Sequence, residues 1–234
     1  MKKYKVGVLG SSGRMGKEIL QCLEDNTKLE PFLGWSNKNN SVGYKHNVTN
    51  FNSEFVNKVD LWIDFSTPDA LMQAIPQILR TKKPVISGTT GLTENQFKRL
   101  KSISNQVPLL WSSNMSLGVA VLGKVLENLQ IISHYDFQIE ESHHKHKKDA
   151  PSGTAITLQK KLEKVLQKKV PTPLSLRGGG VIGDHKVWAF GEEEVLCFEH
   201  RAIQRKVFAR GALWAAEKLL KKPKGFYEFG DLLR

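Results

Sequence analysis

The order of apolar and polar positions predicts alternating strands and helices over the first half of the chain. The apolar run at residues 5–9 meets a glycine-rich turn, and Met15, Ile19 and Leu23 then follow at intervals of four, as on one face of a helix. Further apolar runs predict strands at residues 29–35, 59–65, 84–87 and 109–111. Between and after these strands, helices are predicted to begin at Pro68, Thr93 and Leu117. Repeated strand–helix units with short connections are typical of a parallel sheet covered by helices.

Hydroxyl and proline residues mark where two of these helices begin. Thr67 precedes Pro68, which fits a hydroxyl cap followed by a proline in the first turn, and Thr93 with Gln96 forms a capping-box pattern. Pro76 falls inside the predicted second helix. Because proline lacks the N–H that the helix needs, a kink or a break is expected just before it.

The pattern changes in the second half of the chain. Strands are predicted at residues 136–140, 186–190 and 194–199, and helices at residues 154–168 and 208–220. The three strands indicate an open sheet. The predicted fold class is α/β, with a nucleotide-type parallel-sheet domain followed by a smaller α+β domain and a boundary near Asn114.

Composition and charge narrow the class of protein without deciding it. The 234 residues are 40% hydrophobic and 25% charged, as in ordinary globular proteins. The net charge of +12 favours anionic partners: nucleic acid, an anionic membrane, or a small molecule with phosphates or carboxylates. No apolar run approaches the roughly 18 residues of a membrane span. Cys22 and Cys197 form no disulfide framework, and Gly10 interrupts the apolar start that a signal peptide would need, so we expect a cytoplasmic protein.

A glycine-rich turn after the first strand is the first candidate site. Gly10, Gly13 and Gly16 stand where glycines permit a tight turn and a close approach of the backbone to a pyrophosphate. The spacing G-x-x-G-x-x-G differs from the commoner G-x-G-x-x-G, so a glycine turn without a ligand remains the alternative. The predicted cofactor contacts here are Gly10, Ser11, Ser12, Gly13, Arg14 and Met15.

The end of the second predicted strand bears on which nicotinamide cofactor is used. An acidic residue at this point commonly bonds the ribose 2′-hydroxyl and disfavours a 2′-phosphate. Here the chain has Ser36, Asn37 and Lys38 and no carboxylate. Ser36 and Asn37 offer donors to phosphate oxygens, and Lys38 adds a positive charge. We therefore predict that NADPH is used at least as well as NADH.

Three further loops leave the carboxyl ends of predicted parallel strands, where open α/β sheets bind ligands. They are rich in glycine, hydroxyl and amide groups, and each loop taken alone also fits a simple cap or turn. Their shared position favours cofactor contacts at Phe65, Ser66, Gly88, Thr89, Thr90, Ser112, Ser113, Asn114 and Met115.

The stretch ESHHKHKKDAPSGTA, residues 141–155, is the second candidate site. Proline and serine ahead of a helical pattern indicate a helix start with Pro151 in the first turn. That turn would present the backbone N–H groups of Gly153 and Thr154 to a carboxylate or a phosphate. The residues just upstream that would add proton transfer and positive charge are His143, His144 and Lys147.

Three other interpretations of this stretch compete. A solvated basic loop would explain the lysines. A metal site built from His143, His144 and His146 is a second, although the interleaved lysines would repel a cation and no cysteine is near. A nucleic-acid patch is the third, but it needs basic residues spread over a face, preferably with aromatics, and the aromatics lie elsewhere.

The same stretch resembles the signature E-A-H-H-x-x-K-x-D-A-P-S-G-T-A of the 4-hydroxy-tetrahydrodipicolinate reductases, also called dihydrodipicolinate reductases, of the lysine and diaminopimelate pathway. Ser142 departs from the usual small apolar residue of that signature. The resemblance extends over nearly the whole chain, through GSSGRMG, IDFSTP, GTTG, SSNMSLGV, RGGGVIGDH, His200-x-Ala202 and Phe208-Ala-x-Gly211-Ala212.

The resemblance implies a reaction and roles for the site residues. NADPH, or NADH, would reduce 4-hydroxy-tetrahydrodipicolinate, a cyclic dicarboxylate, to tetrahydrodipicolinate. His143 matches the family's proton donor, and Lys147 matches the lysine that shares in proton donation and stabilises charge. His144, Gly153 and Thr154 match positions that hold the substrate carboxylates. No metal is implied.

The resemblance also implies an organisation of domains and subunits. A Rossmann-type domain would comprise residues 1–114 with 208–234, and residues 115–207 would form a substrate-binding domain whose open sheet associates as a homotetramer.

Two rival functions remain. Another nicotinamide-dependent reductase, acting on an amino-acid semialdehyde, gives no reason for HHxxK followed by DAPSGT. A DNA-binding redox sensor needs a DNA-binding module, and no helix-turn-helix pattern precedes the glycine turn. We expect neither a nucleic-acid nor a membrane partner.

Overall fold

The computed structural model describes residues 2–36, 43–50 and 54–233. The chain divides into two compact units, one formed by residues 1–115 with 208–234 and the other by residues 116–207. The first unit therefore consists of two separate stretches of chain, and the second of one continuous stretch.

Eleven strands and six α-helices are found in the described residues. The strands are β1 (Tyr4–Leu9), β2 (Leu29–Trp35), β3 (His46–Val48), β4 (Leu61–Asp64), β5 (Val85–Ser87), β6 (Pro108–Trp111), β7 (Asp136–His143), β8 (Leu174–Arg177), β9 (Asp184–Phe190), β10 (Val195–Arg201) and β11 (Gly225–Tyr227). The helices are α1 (Arg14–Glu24), α2 (Pro68–Thr81), α3 (Glu94–Ser102), α4 (Leu117–Val125), α5 (Gly153–Leu166) and α6 (Lys206–Leu219). None of these helices is both long and apolar enough to cross a membrane.

A seven-stranded parallel sheet forms the centre of the first unit, with the strands in the order β11, β6, β5, β4, β1, β2, β3. This is the doubly wound, Rossmann-like arrangement, in which the strand order reverses between β1 and β4. All four residues of β4 are buried, as are the last four of β1, because helices cover both faces of such a sheet. The reversal places the carboxyl ends of β1 and β4 next to each other, where this fold binds ligands.

A smaller mixed sheet forms the second unit, in the order β10, β9, β7, β8. Strand β9 runs antiparallel to β7 and β10, whereas β8 runs parallel to β7. One face is apolar and packs against α5, through residues such as Phe137, Ile139, Val187 and Leu158. The opposite face carries exposed apolar side chains such as Leu174 and Phe190, and the predicted smaller α+β domain is confirmed.

The structure differs from two predictions about proline. Helix α2 continues from Pro68 to Thr81, so of the predicted kink or break before Pro76 the break is wrong. Pro76 is exposed, so the carbonyl that loses its helical partner can be hydrated by solvent. Pro151 lies before the helix rather than in its first turn, because Ser152 has an extended backbone and forms the cap of α5.

Other differences concern lengths of elements. The α-helix predicted at residues 117–129 ends at Val125 and is followed by a 3-10 helix, Leu126–Ile132. Strands β3, β8 and β11 were not predicted, since they contain only three or four residues.

Candidate active site

The glycine turn joins β1 to α1 and brings three pieces of backbone close together. Gly10 has a φ of 78°, a conformation that glycine adopts without strain, and a Cβ there would lie 2.6 Å from the carbonyl oxygen of Phe65. A Cβ on Gly16 would lie 2.4 Å from the carbonyl oxygens of Gly10 and Ser11, so α1 packs directly on the turn. Gly13 caps α1 without a side-chain hydrogen bond, which leaves the first-turn N–H groups for another acceptor such as a phosphate.

The end of β2 lies beside this turn. The hydroxyl of Ser11 donates to the carbonyl oxygen of Trp35 at 3.0 Å, and the hydroxyls of Ser12 and Ser36 share a hydrogen bond. The structure thus brings Ser36 to the glycine turn, as expected for a residue near the cofactor ribose. In the first turn of α1, the remaining predicted contacts are the exposed Arg14 and the half-buried Met15. The other two predicted residues near the ribose, Asn37 and Lys38, lie outside the described residues.

Asp64, fully buried at the end of β4, ties the next two loops together. Its Oδ1 accepts hydrogen bonds from the backbone N–H of Ser66 at 3.0 Å and from the Ser66 hydroxyl at 2.5 Å. Its Oδ2 accepts from the hydroxyls of Ser87 at 2.6 Å and Thr89 at 2.7 Å. Burial raises the pKa of this carboxyl, although the same hydrogen bonds act in the opposite direction. Two predicted cofactor contacts, Ser66 and Thr89, are therefore held by one unpredicted residue.

The loop after β5 packs against the loop after β4. A Cβ on Gly88 would lie 2.5 Å from the ring of Phe65, so this position admits only glycine without a shift of the ring. The indole of Trp111 donates to the carbonyl oxygen of Thr89 at 3.0 Å, and Thr90 is exposed. The loop therefore presents Thr90 to solvent at the carboxyl end of the sheet.

The segment after β6 is folded by its own side chains. The hydroxyl of Ser112 donates to the carbonyl oxygen of Asn114 at 2.6 Å and accepts from the Asn114 N–H at 3.2 Å. Met115 is buried, and a Cβ on Gly211 of α6 would lie 1.7 Å from the Met115 carbonyl oxygen. Ser113 is half-buried. The first unit thus gathers the four predicted cofactor-binding segments at one edge of its sheet.

In the second unit, Glu141 and His143 are buried side by side on β7. Residues two apart along a strand share a face, and Phe137, Ile139, Glu141 and His143 are all buried. The Nδ1 atom of His143 and the Oε2 atom of Glu141 share a hydrogen bond. Arg177, opposite His143 on β8, donates to the two oxygens of Glu141 at 3.0 and 2.7 Å. The predicted proton donor is therefore one member of a buried charged cluster.

Burial and hydrogen bonding decide the ionisation of this cluster. Burial opposes the ionisation of Glu141, but the hydrogen bonds from Arg177 and His143 outweigh it and lower the pKa of Glu141 to about 2. For His143, burial lowers the pKa below its ordinary 6.5, since the raising effect of Glu141 is smaller and Lys147 and Arg177 add repulsion. At neutral pH the cluster therefore holds an ionised carboxylate and a largely neutral imidazole.

The start of α5 lies next to the same carboxylate. The N–H of Ser152 donates to Oε1 of Glu141 at 3.2 Å, and the Ser152 hydroxyl accepts from the N–H of Ala155 at 3.2 Å as the helix cap. Gly153, at the first helical position, is exposed, and Thr154 is buried. The predicted anion-binding turn and the predicted proton donor thus meet at one residue, Glu141.

The remaining residues of the basic stretch are divided between half-buried and exposed positions. Lys147 is half-buried and forms an ion pair of 2.8 Å with Asp149. His144 is half-buried as well, whereas the three residues to which no role was assigned, Lys145, His146 and Lys148, are exposed. In the described parts of the chain no three histidine, cysteine, aspartate or glutamate side chains are grouped so as to hold a metal ion.

Two further histidines, not predicted as site residues, lie beyond His143. His185 is fully buried with its ring centre 5.3 Å from that of His143, and its Nε2 is 3.3 Å from the Ser152 hydroxyl. Burial lowers the pKa of His185 to about 3, so this ring is neutral throughout the physiological range. His200 lies 3.0 Å from the hydroxyl of Ser116.

The sequence contained a signal for one of the missed residues but not for the others. The two-residue repeat of β7 places Glu141 on the same face as His143, and this repeat could have indicated their contact. Arg177 reaches Glu141 from a strand 36 residues further along the chain. Arg177 begins the motif RGGGVIGDH, and Asp64 lies in IDFSTP, but no local pattern indicates which side chains these residues contact.

Models of two protein domains match the chain, described as "Dihydrodipicolinate reductase, N-terminus" over residues 4–115 and "Dihydrodipicolinate reductase, C-terminus" over residues 118–233. A 4-hydroxy-tetrahydrodipicolinate reductase of Bdellovibrio bacteriovorus is 48% identical over 237 residues, spanning 100% of this chain and 97% of that protein. Another, of Sulfurimonas denitrificans, is 36% identical over 251 residues, with 98% of each chain covered.

Solved structures show the same fold at lower identity. A dipicolinate-bound dihydrodipicolinate reductase from Paenisporosarcina sp. TG-14 aligns with a TM-score of 0.78 at 20% identity, over 97% of this chain and 98% of that one. A myo-inositol dehydrogenase from Corynebacterium glutamicum aligns with a TM-score of 0.69 at 12% identity, over 99% and 93% of the two chains.

Proposed function

The chain belongs to the dihydrodipicolinate reductase family, and from that membership we propose how its residues carry out the reaction. It is an NAD(P)H-dependent oxidoreductase that reduces 4-hydroxy-tetrahydrodipicolinate in lysine and diaminopimelate biosynthesis. The observation that carries this conclusion is the match of both domain models, which together span nearly the whole chain.

In our proposal His143 donates the proton that the reduced substrate takes up. Its Nδ1 is engaged by Glu141, so Nε2 is the nitrogen that remains for the substrate. A Cβ on Gly183 would lie 3.0 Å from this Nε2, and the glycine therefore leaves space beside it. Burial lowers the pKa of this imidazole below the ordinary 6.5, and imidazole is the side chain that most often transfers protons close to neutral pH.

The same proposal assigns the substrate carboxylates to the start of α5. The backbone N–H groups of Gly153 and Thr154 belong to the first turn, where the helix dipole favours a negative charge. His144 and Lys147 add donors and positive charge from the preceding loop. Lys147 is half-buried and its partner Asp149 is exposed, so a substrate carboxylate would compete with Asp149 for the ammonium group.

The first unit fits a bound NAD(P)H. A side chain at Gly10 or Gly16 would collide with backbone carbonyl oxygens, so the tight turn that would hold the pyrophosphate requires both glycines, and the first turn of α1 has no side-chain cap. When bound, the cofactor supplies the hydride. The residues that would hold the pyrophosphate are Gly10, Ser11, Ser12, Gly13, Arg14 and Met15. Those that would border the nicotinamide and the adjoining ribose are Phe65, Ser66, Gly88, Thr89, Thr90, Ser112, Ser113, Asn114 and Met115.

For the choice of nucleotide we propose that NADPH is used at least as well as NADH. The support is the side chain next to the glycine turn, since Ser36 bonds Ser12 where a carboxylate would repel a 2′-phosphate. Asn37 and Lys38 follow in the sequence with a further donor and a positive charge.

We also propose that the open face of the second unit's sheet, defined here by Leu174, Leu176, Phe190 and Val195, joins four copies of the chain. These side chains are between 41% and 56% exposed although they are large and apolar. Pairing places them on the same side of the sheet. Phe190 lies opposite Val195 in β10 and Asp136 in β7, and the two leucines lie opposite residues 140 and 142, which share the face of Asp136. Apolar surface of this kind is typical of an interface between subunits.

A cytoplasmic location is the last element of the proposal. Cys22 is buried and Cys197 is exposed, and both are free thiols. Thiols that stay unpaired are typical of proteins in a reducing compartment.

The function is tested by following the oxidation of NADPH in the presence of enzymatically generated 4-hydroxy-tetrahydrodipicolinate. The purified protein should turn over, and absence of turnover would overturn the assignment. His143→Gln should lower kcat by about 10²-fold with cofactor binding retained. Lys147→Ala should lower kcat and raise KM for the substrate. Near-normal kinetics in either variant would show that its role is misassigned.

A further inference from the structure

The Glu141 carboxylate is buried completely, and both of its oxygens are used. Oε2 meets Nδ1 of His143 and accepts from Nη1 of Arg177 at 3.0 Å. Oε1 accepts from Nη2 of Arg177 at 2.7 Å and from the Ser152 N–H at 3.2 Å. These donors compensate the negative charge of the carboxylate and fix its orientation.

Such a residue is costly to bury and would gain little as a purely structural element. Replacing a buried ion pair by apolar residues often leaves stability unchanged or higher. The guanidinium of Arg177 is itself held by backbone acceptors. Nη2 also donates to the carbonyl oxygen of Asp149 at 2.6 Å, and Nη1 donates to that of Leu176 at 2.7 Å. The arrangement therefore specifies geometry at His143 and Ser152 more than it adds stability.

The effect on His143 follows from the acceptor character of an ionised carboxylate. Glu141 can only accept, so the proton of a neutral His143 must be on Nδ1 and Nε2 must carry the lone pair. The other charged or titratable groups that face this imidazole are Lys147 and Asp149 from the loop, Arg177 from β8 and the neutral His185 from β9. Asp149 is paired with Lys147 at 2.8 Å, whereas Glu141 is the carboxylate that is hydrogen-bonded to the ring.

The effect on the helix start follows from the second oxygen. Ser152 is the cap of α5, and its N–H is held by the same carboxylate that holds His143. One rigid group thus fixes the distance between the imidazole and the first turn that contains Gly153 and Thr154. In a reaction that binds a carboxylate at one point and protonates at another, this distance decides whether the proton donor reaches its target.

We propose that Glu141, fixed by Arg177, is a positioning residue. It sets the tautomer of His143 and holds the imidazole at a fixed distance from the anion-binding start of α5. This inference rests on the proposed role of His143 as proton donor. Nε2 takes a proton from solvent to give an imidazolium that Glu141 stabilises, and it returns that proton to the substrate. The carboxylate keeps its charge throughout and exchanges no proton.

The wild-type protein offers a direct test without any substrate. With 15N-labelled histidine, the ring nitrogen shifts of His143, assigned by the loss of its signals in His143→Gln, report which nitrogen carries the proton. We expect the proton on Nδ1 in the neutral form. A neutral His143 with its proton on Nε2 would overturn the inference, and this outcome is independent of whether the protein turns over substrate.

A variant supplies the kinetic test. In Glu141→Gln the amide oxygen should take the Oε1 position, which faces the donors of Arg177 and Ser152, and the amide N–H₂ the Oε2 position beside Nδ1. This should move the His143 proton to Nε2 and lower kcat by about 10²-fold or more, as for other histidines held in the wrong tautomer. KM for the substrate should change by less than about threefold if the helix start is retained. Glu140→Gln is the matched control, because Glu140 is the neighbouring carboxylate on the opposite face of β7, paired with Lys186 at 3.5 Å.

Control and variant together separate positioning from folding. Glu140→Gln should keep wild-type kcat and the Nδ1 tautomer. Unchanged kcat and an unchanged tautomer in Glu141→Gln would overturn the inference. If Glu141→Gln does not fold, the tautomer of the wild-type protein decides. If the wild-type protein shows the Nδ1 tautomer but no reductase activity, the proposed function fails and the geometric inference stands.

Discussion

Single buried polar residues organise both units of the molecule. Asp64 and Glu141 are each fully buried, and each accepts several hydrogen bonds at once. They differ in what surrounds them, because the donors to Asp64 within the described residues are neutral hydroxyl and N–H groups, whereas Glu141 meets a guanidinium. Burial consequently raises the pKa of Asp64, while the pKa of Glu141 falls to about 2. The neighbours of each carboxyl group thus decide whether burial or hydrogen bonding has the larger effect on its pKa.

The pH dependence of catalysis should report the environment of His143. If protonated His143 donates the proton, kcat/KM falls as pH rises through its pKa, which burial holds below 6.5. Glu141→Gln removes the carboxylate that raises the pKa of His143, so the midpoint of this fall should move to lower pH. Lys147→Ala removes a positive charge that lowers this pKa, so the midpoint should move to higher pH. Profiles of kcat/KM against pH measure both shifts. Shifts of the same sign in the two variants would contradict this account.

Ser36 gives a second prediction at the scale of one residue. Ser36→Asp places a carboxylate beside the glycine turn, where it can bond a ribose 2′-hydroxyl and repels a 2′-phosphate. We expect the ratio of kcat/KM for NADPH to that for NADH to fall by about 10-fold or more. Ser36→Ala serves as the control for loss of the Ser12 hydrogen bond alone. A strong preference of the wild-type protein for NADH would count against the proposed use of NADPH.

At the scale of elements, the loops at the carboxyl ends of β4 and β5 depend on one another through Asp64. Asp64→Ala would remove the acceptor of the Ser87 and Thr89 hydroxyls and the shorter of the two hydrogen bonds donated by the Ser66 hydroxyl. The free energy of unfolding should fall by about 2–4 kcal/mol, and KM for the cofactor should rise, because Thr89 lies in a predicted contact loop. Chemical denaturation and cofactor titration measure the two effects.

The matched control is Asp60→Ala, next to the other end of the same strand. Asp60 is half-buried and accepts one backbone hydrogen bond, from Lys5 at 2.9 Å. Its loss should cost about 1 kcal/mol and leave cofactor binding unchanged. Equal destabilisation by both substitutions would show that the Asp64 network is not special.

Sequence patterns predicted the elements that are long or that carry local signals. The strand at Leu29–Trp35 has the predicted limits, and the capping box of Thr93 and Gln96 is present at the start of α3. Elements decided by distant contacts were missed. Strand β8 has only four residues, two of them exposed leucines, and it exists because β7 pairs with it. The partners of the Glu141 carboxylate depend on that pairing and were missed for the same reason.

At the scale of the whole molecule, the net charge of +12 and the open face of the sheet concern different partners. The charge raises the local concentration of an anionic substrate and cofactor, an effect that salt weakens. The open face concerns other copies of the chain.

A charged residue on the open face should disrupt the proposed tetramer. Leu176→Glu and Phe190→Glu each place a carboxylate in an apolar surface that is buried on assembly, which is costly without a partner charge. Sedimentation velocity should show smaller species than for the wild-type protein. Ile131→Glu is the control, because Ile131 is 85% exposed and belongs to the 3-10 helix after α4 rather than to the sheet. Tetramers that persist in both open-face variants would contradict the proposed interface.

The divided first unit has a consequence for the order in which the protein is made. Strand β11, at residues 225–227, forms the edge of a sheet whose other strands all precede residue 112. During synthesis, β6 can pair with β11 only after the whole intervening second unit has been translated. The second unit is continuous, so it has all its strands before the first unit does. On the ribosome, β6 is therefore an edge of the nucleotide-binding sheet until β11 is made, while the later-made unit already has all its strands.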